Sequence, residues 1–153
     1  MTGKRTAYSL VEMIVVVMIL GAIAFIAIPR INFTGLYRKQ ANAIAKQIAT
    51  DLRRTRTLAI SYAANNTKGY YLQMVGSSPY ASYKIVDTNS AATVDTLTID
   101  SPISCTGGSL FKFGPLGNLL SGSSATPISV SSGGKTYTIT VISATGIVQC
   151  AGG

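Results

Sequence analysis

Residues 10–28, LVEMIVVVMILGAIAFIAI, are apolar throughout except for one carboxylate, Glu12. As an α-helix these 19 residues would extend about 28 Å, at about 1.5 Å per residue, which fits the hydrocarbon core of a bilayer. The run therefore predicts a membrane-spanning helix. An ionisable group in such a helix is costly unless it is paired, so Glu12 is a candidate functional residue rather than an incidental charge.

A cleavable secretory signal is the alternative interpretation of this segment. Lys4 and Arg5 form a basic leader, and Ala22-Ile23-Ala24 resembles a small-x-small cleavage site. Two features argue against it: the apolar run is longer than the usual about 7 to 15 residues, and a carboxylate is unfavourable at its start.

The charge of the chain is concentrated in one segment. The formal net charge is +8, and residues 30–56 contribute seven Lys and Arg against one Asp. Residues 57–153 carry four Lys and three Asp, so this part is nearly neutral. There is no His, which removes the commonest general base and zinc ligand and argues against an enzyme tethered by its N-terminus. We predict no cofactor and no metal.

The only two cysteines are Cys105 and Cys150. In a Ser/Thr/Gly-rich region behind a membrane segment they are best explained by one disulfide in an oxidising compartment. Closing a loop of about 45 residues would stabilise the fold by about 4 kcal/mol in the chain-entropy model. Two free thiols and an intermolecular bridge are the alternatives.

Beyond Pro29 an apolar stripe predicts that the helix continues, with Pro29 as a kink. Asn65-Asn66 and Gly69 mark its end, so one helix of about 57 residues would run from residue 8 to residue 64. The stripe, at steps of three and four, comprises Ala41, Ile44, Ile48, Leu52, Thr55, Ala59 and Tyr62.

Basic residues recur at heptad spacing on the opposite side of this helix: Lys39, Lys46 and Arg53, with Arg56 nearby. A solvated face is the simplest interpretation. Contact with neighbouring subunits, contact with lipid headgroups and binding of DNA remain alternatives.

After residue 68 the sequence changes to short alternating runs bounded by turn residues, which indicates a β-rich head. Gly133-Gly134 suits a tight hairpin. In KTYTITVIS, Tyr137, Ile139 and Val141 share one face. The predicted strands are Tyr70–Val75, Ser82–Asp87, Val94–Asp100, Leu110–Phe113, Ile128–Ser131, Lys135–Ile142 and Gly146–Gln149.

The N-terminal stretch KRTAYSLVEMIVVVMILGAIAFIAIP combines a basic leader, a small residue, an aromatic residue, three further residues, a glutamate and an apolar helix. This order resembles the class III signal of type IV pilins and type II secretion pseudopilins. Gly21 and Pro29 fall where many pilins have a helix-loosening Gly and Pro. Ala7 and Tyr8 depart from the commoner Gly and Phe.

The resemblance implies an assembly mechanism. A prepilin peptidase would cut between Ala7 and Tyr8 and N-methylate Tyr8. In the filament core, Glu12 would then pair with the N-terminal amine of a neighbouring subunit and set the register, as a buried polar residue does in a coiled coil. A Glu12 that reaches the headgroup boundary is the alternative.

The head carries a looser resemblance. FKFGPLGNLLSG and ISVSSGGKTYTITVISATGIVQC are similar to the heads of the GspH/FimT-type minor pilins, the H-type pseudopilin and T-type fimbrial protein group. Some members bind DNA through arginines after the last motif Gly, but this chain has no Arg beyond Arg56. The matching positions are Phe113, Gly117, Thr145, Gly146 and Val148.

These observations predict an α+β, type IV pilin-like fold in which a long N-terminal helix packs on an antiparallel β-rich head. The expected location is the bacterial inner membrane, single-pass, with a cytoplasmic N-terminus and the head outside, and then an extracytoplasmic filament. The segments are a leader (1–7), a transmembrane and assembly helix (8–29), the extramembrane half of the helix (30–66) and the head (67–153).

The predicted function is that of a structural subunit, a minor pilin or pseudopilin, of a type IV pilus or a type II secretion pseudopilus. Its partners would be other pilins or pseudopilins, prepilin peptidase, the inner-membrane assembly platform and, before assembly, lipid. A major pilin and a DNA-binding competence pilin are the alternatives. A calcium site at Asp87, Asn89, Asp95 and Asp100, and an adhesive patch of Tyr70, Tyr71, Tyr80 and Tyr83, are weaker interpretations than turn carboxylates and strand packing.

Overall fold

The computed structural model describes residues 9–27 and 33–152. The chain divides between Phe33 and Thr34 into two compact units, which are described separately. Ten elements follow one another. They are α1 (Leu10–Ala27), α2 (Phe33–Ser61), β1 (Tyr70–Val75), β2 (Ser82–Asp87), β3 (Thr93–Thr98), β4 (Ser104–Gly107), β5 (Leu110–Phe113), β6 (Ile128–Ser132), β7 (Lys135–Val141) and β8 (Val148–Gly152).

Helix α1 is apolar on every face. The carbonyl of Ser9 accepts hydrogen bonds from the backbone amides of Glu12 and Met13, which starts the helix. The large apolar side chains of α1, among them Met18 and Phe25, are 45% to 83% exposed. A helix that is apolar all round is stable only where other groups cover it. The first unit therefore presents an apolar surface that its own residues do not bury.

The prediction of a membrane-spanning helix is wrong. Among the described residues, no helix is both long enough and apolar enough to cross a membrane. Helix α1, the more apolar of the two helices, has 18 residues. Helix α2 is longer but carries charged residues along its length. This finding also overturns the expected single-pass location in the inner membrane.

The prediction of one long N-terminal helix is also wrong, and only the coarser α+β class remains. The structure has two helices, α1 ending at Ala27 and α2 beginning at Phe33. The sequence between them contains Pro29, which has no N–H to donate and disfavours a helical residue before it. Pro29 itself, like Ala7 and Tyr8, lies outside the described residues.

Helix α2 buries an apolar stripe, as its periodicity predicted, but the buried residues differ in part from the predicted ones. Ile44 is only half-buried, and Tyr62 lies beyond the end of the helix and is exposed. The buried residues of α2 are Ala41, Ala45, Ile48, Ala49, Asp51, Leu52, Thr55 and Ala59.

The strands form two antiparallel sheets of four, in the orders β3-β2-β1-β5 and β4-β6-β7-β8. Strands β1, β2 and β5 have the predicted bounds, and β3, β6, β7 and β8 differ by one to three residues at their ends. Strand β4 was not predicted. The hairpin at Gly133-Gly134 is confirmed: both residues have positive φ, and Ser132 pairs with Lys135 across the turn.

A single core joins α2 to both sheets. Its buried residues come from α2, from the first sheet, for example Leu72 and Phe111, and from the second, for example Val130 and Ile139. The predicted inner face of β7 is confirmed, since Ile139 is buried and both Tyr137 and Val141 pack against the core. The helix is therefore the element that holds the two sheets in one domain.

One carboxylate lies inside this core. Asp51 on α2 is 8% exposed, and its Oδ2 accepts a hydrogen bond of 2.6 Å from the hydroxyl of Tyr83 on β2. Burial of the phenol, its hydrogen bond and the nearby carboxylate charge all raise the pKa of Tyr83. The hydroxyl thus stays protonated and donates to Asp51, which satisfies a buried charge that would otherwise be costly.

We expect Tyr83→Phe to lower the free energy of unfolding by about 1 to 3 kcal/mol, because it leaves the buried carboxylate of Asp51 without this donor. Urea denaturation followed by circular dichroism measures the change. Tyr62→Phe, at a tyrosine that is 51% exposed, is the matched control and should leave stability nearly unchanged. Equal stability of the two variants would contradict the role assigned to Tyr83.

Candidate functional site

The structure brings two predicted motif positions of the head into contact. Gly117 lies in the loop after β5, and Gly146 lies in the turn between β7 and β8. A Cβ placed on Gly146 would overlap the carbonyl oxygen of Gly117. Both glycines have positive φ, 80° and 66°. Only glycine fits such a close approach with that backbone conformation.

Arg56 of α2 holds these two turns together. Its Nε donates to the carbonyl oxygen of Gly117 at 3.1 Å and to that of Thr145 at 3.2 Å. A charged donor strengthens such bonds relative to neutral ones. Sequence pattern alone does not indicate that Arg56 binds these turns, because its two partners lie 61 and 89 residues further along the chain.

Two further predicted motif residues belong to the core. Phe113, the last residue of β5, is fully buried, and Val148, the first residue of β8, is 6% exposed. The carbonyl oxygen of Val148 also accepts a hydrogen bond of 3.1 Å from Arg53. The five motif positions, including Thr145, therefore lie at the ends of two strands and in the turns beside them, where Arg53 and Arg56 of α2 bind.

The arginines of α2 form hydrogen bonds or an ion pair with the head. Besides Arg53 and Arg56, Arg38 donates to the carbonyl oxygen of Gly133 at 2.7 Å. Arg54 forms an ion pair of 2.7 Å with Asp95. Arg53 is nevertheless exposed, as a solvated face requires, whereas Arg56 is half-buried. Two further basic residues of α2, Lys39 and Lys46, are exposed as predicted.

The predicted disulfide is wrong. Cys105 and Cys150 are free thiols, the first buried and the second exposed. They lie on β4 and β8, the two edge strands of one sheet. Three strand spacings separate those edges by about 14 Å, whereas bridged cysteines have Cα atoms within about 7 Å. Burial raises the pKa of the Cys105 thiol to about 11.

The carboxylates of the suggested calcium site are dispersed. Asp87 accepts hydrogen bonds from Asn89 and Ser90 in its own turn and from Asn66, which follows α2. Asp95 is paired with Arg54, as described above. Within residues 9–27 and 33–152, no group of three potential ligands comes close enough to hold a metal ion.

The tyrosines of the suggested adhesive patch are buried or half-buried in the head. Tyr83 is buried beside Asp51, and Tyr70 is 8% exposed. Tyr80 is half-buried and donates to the carbonyl oxygen of Gly107. Tyr71 is half-buried as well.

Two predicted assembly residues are described in α1. Glu12 lies in the first turn of the helix, and Gly21 lies within it without interrupting it. The carboxylate of Glu12 is exposed and is the one charged group between Leu10 and Ala27. The cut site at Ala7 and Tyr8 is outside the described residues.

No protein-family model matches the chain, and no curated protein and no solved structure matches it either.

The glycine contact is tested by two alanine substitutions. In Gly134→Ala the added Cβ has no atom within 4 Å, so only the positive φ is unfavourable. We expect the free energy of unfolding to fall by about 1 kcal/mol. Gly146 has a similar φ, but in Gly146→Ala the added Cβ overlaps the carbonyl oxygen of Gly117. We therefore expect the free energy of unfolding to fall by at least about 3 kcal/mol. Urea denaturation of both variants gives the difference. Equal losses would contradict the packing of the two turns.

The thiols are tested by alkylation with iodoacetamide at pH 8. A raised pKa keeps Cys105 in the protonated, unreactive form below about pH 11. We therefore expect one adduct, on Cys150, in the native protein and two adducts in denaturant. Mass spectrometry distinguishes the outcomes, and a native protein that takes up no adduct would restore the predicted bridge.

Proposed function

We propose that the chain is a structural subunit of a filament, a minor pilin or pseudopilin of the type IV pilus and type II secretion class. The observation that carries the proposal is helix α1, which exposes apolar side chains on all faces and has one carboxylate in its first turn. Its partners would be other pilins or pseudopilins, a prepilin peptidase and an assembly platform.

Burial of α1 among copies of itself would supply the cohesion of such a filament. Each large apolar side chain that moves from water to a packed interior contributes about 1.5 to 3 kcal/mol. Helix α1 exposes eleven such residues between Leu10 and Ile23, and Phe25 follows them. Because the apolar residues surround the whole helix, it suits a core in which neighbours contact it from every side.

Apolar contacts alone do not fix how far one helix slides along another. A carboxylate in that core is costly unless a cation faces it, so only registers that pair Glu12 are favoured. The leader pattern supports a cut between Ala7 and Tyr8, which would create an amine four residues before Glu12. Glu12 of one subunit and the Tyr8 amine of a neighbour would then form the registering pair.

The head would determine which neighbours the subunit accepts. Its loops are fixed on α2 by arginine-to-carbonyl hydrogen bonds, so they form a rigid surface rather than adaptable arms. The chain also has no Arg beyond Arg56, where some members of the resembled minor-pilin group carry the arginines that bind DNA. This argues for protein contacts and against the capture of DNA.

The proposal is tested by Glu12→Ala in the cells that produce the protein. We expect its amount in the sheared filament fraction to fall at least about tenfold, because the neighbour's amine is left unpaired in an apolar core. Met13→Ala, which shortens an adjacent apolar side chain of α1, is the control and should retain most of the assembly. Immunoblots of sheared and cell-bound fractions measure both.

Two results would contradict the proposal. If the Glu12→Ala protein enters filaments at the level of the unsubstituted protein, Glu12 has no registry role. If the unsubstituted protein is absent from filaments and from secretion pseudopili, the chain is not a subunit of either.

A further inference from the structure

A cleft runs along α2 beside the chain that links β3 and β4. It has a volume of about 170 Å³ and is lined by Ala43 and Ile44 of α2 and by Ile103. Gln40, Asp100 and Ser101 complete its wall. Ile44 and Ile103 are half-buried, and Asp100 is exposed. The cleft therefore has an apolar floor and a carboxylate at its rim.

The carboxylate of Asp100 has no partner among the residues that the structure describes. Asp95 and Asp87 form an ion pair or hydrogen bonds through their side chains, and the Asp51 side chain accepts from Tyr83. Across the described part of the chain, no hydrogen bond or ion pair involves the side chain of Asp100. Its charge is thus free to meet a cation outside the subunit.

An apolar protrusion lies near the other end of α2. Leu116, in the loop after β5, is 88% exposed. Next to that loop, Ile60 of α2 comes within 2.7 Å of where a Cβ of Gly117 would be. Ile147 follows the Gly146 turn and, like Ile60, is nearly half exposed. A leucine that is almost fully exposed among other apolar residues indicates a contact surface.

The protrusion has a cation behind it. The Nε of Arg56 is bonded to the carbonyls of Gly117 and Thr145, as described above. No hydrogen bond or ion pair of its two Nη groups occurs within residues 9–27 and 33–152. The protrusion is thus apolar with a guanidinium beside it, and the cleft is apolar with a carboxylate beside it.

These two surfaces cannot meet within one subunit. Ile44 at the cleft and Ile60 at the protrusion are 16 residues apart on one continuous helix, which separates them by about 24 Å. A protrusion and a complementary cleft on different parts of one subunit form a heterologous contact that repeats from copy to copy.

We propose that the Leu116 loop of one copy docks in the α2 cleft of the next copy, with Arg56 facing Asp100. The inference rests on the proposed function in that copies must meet, but it uses none of the residues of α1. The apolar side chains supply most of the affinity, and the charged pair sets the orientation and disfavours a like-charged partner. The result is a head-to-tail contact between subunits.

Photo-crosslinking of the full-length chain tests the contact directly. Leu116 is replaced by p-benzoylphenylalanine, the cells are irradiated, and the crosslinked peptides are identified by mass spectrometry. We expect crosslinks to residues 40–44 or 100–103 of a second copy, in a ladder of two, three and more subunits. Crosslinks to other regions or other proteins, the absence of crosslinks, or dimers alone would overturn the proposal.

A charge reversal gives an independent test on the same chain. Leu116→Glu places a charge in the apolar cleft near Asp100, and we expect the self-association constant to fall about tenfold or more. Asp100→Lys places a cation opposite Arg56 and should also weaken association, whereas Asp100→Glu keeps the sign of the charge and should retain it. Val75→Glu, at an exposed apolar residue at the end of β1, is the control and should not weaken association. An Asp100→Lys protein that associates as tightly as the unsubstituted protein, with normal folding by circular dichroism, would contradict the pairing.

The two proposals fail in different ways. If Leu116→Glu enters filaments normally and Glu12→Ala does not, the head contact is wrong and the filament proposal stands. If the chain forms no filament but the purified protein still gives the Leu116 crosslinks to the cleft, the filament proposal is wrong and the head contact stands.

Discussion

The buried stripe of α2 is the constraint on which the rest of the head depends. Each sheet has one face that needs cover, and the stripe supplies residues to a core that includes both sheets. Small side chains such as Ala41 and Ala45 of the stripe are fully buried in this core. Asp51 is accepted in this core because Tyr83 donates to it. A helix that serves two sheets at once cannot shift along its axis without breaking contacts on both, so it fixes the geometry of the whole domain.

Around that core, the cations of α2 act at the ends of strands. Arg38, Arg53 and Arg56 donate to carbonyl groups in three different parts of the head. Turn carbonyls have no partner in a sheet, and a charged donor from the helix satisfies them. The glycines that meet beside Arg56 leave room for this arrangement. The same fixed turns carry Leu116 outward, so the rigidity of the loops and the proposed contact between subunits have one structural origin.

The sequence predicted best what depends on local pattern. The bounds of β1, β2 and β5 follow from alternation between turn residues, and the α2 stripe follows from helical periodicity. The four-residue strand β4 has no alternation of apolar residues and was missed. The predicted disulfide between Cys105 and Cys150 was wrong because the two cysteines lie on opposite edge strands of one sheet. The spacing of cysteines in the sequence does not determine the order of the strands. The roles of Arg56 and Asp51 were missed because their partners are 32 to 89 residues away. The single long N-terminal helix was wrong because apolar patterns on both sides of Pro29 were taken as one helix, whereas the structure has two helices, α1 and α2.

The central claim is that a cut before Tyr8 creates the amine that Glu12 needs for assembly. The most direct measurement is the intact mass of the mature protein isolated from the cells that produce it. The account predicts a chain that begins at Tyr8 and carries one added methyl group. A mass that retains residues 1–7, or one that begins after Ala24, would contradict it, because no amine would then stand four residues before Glu12.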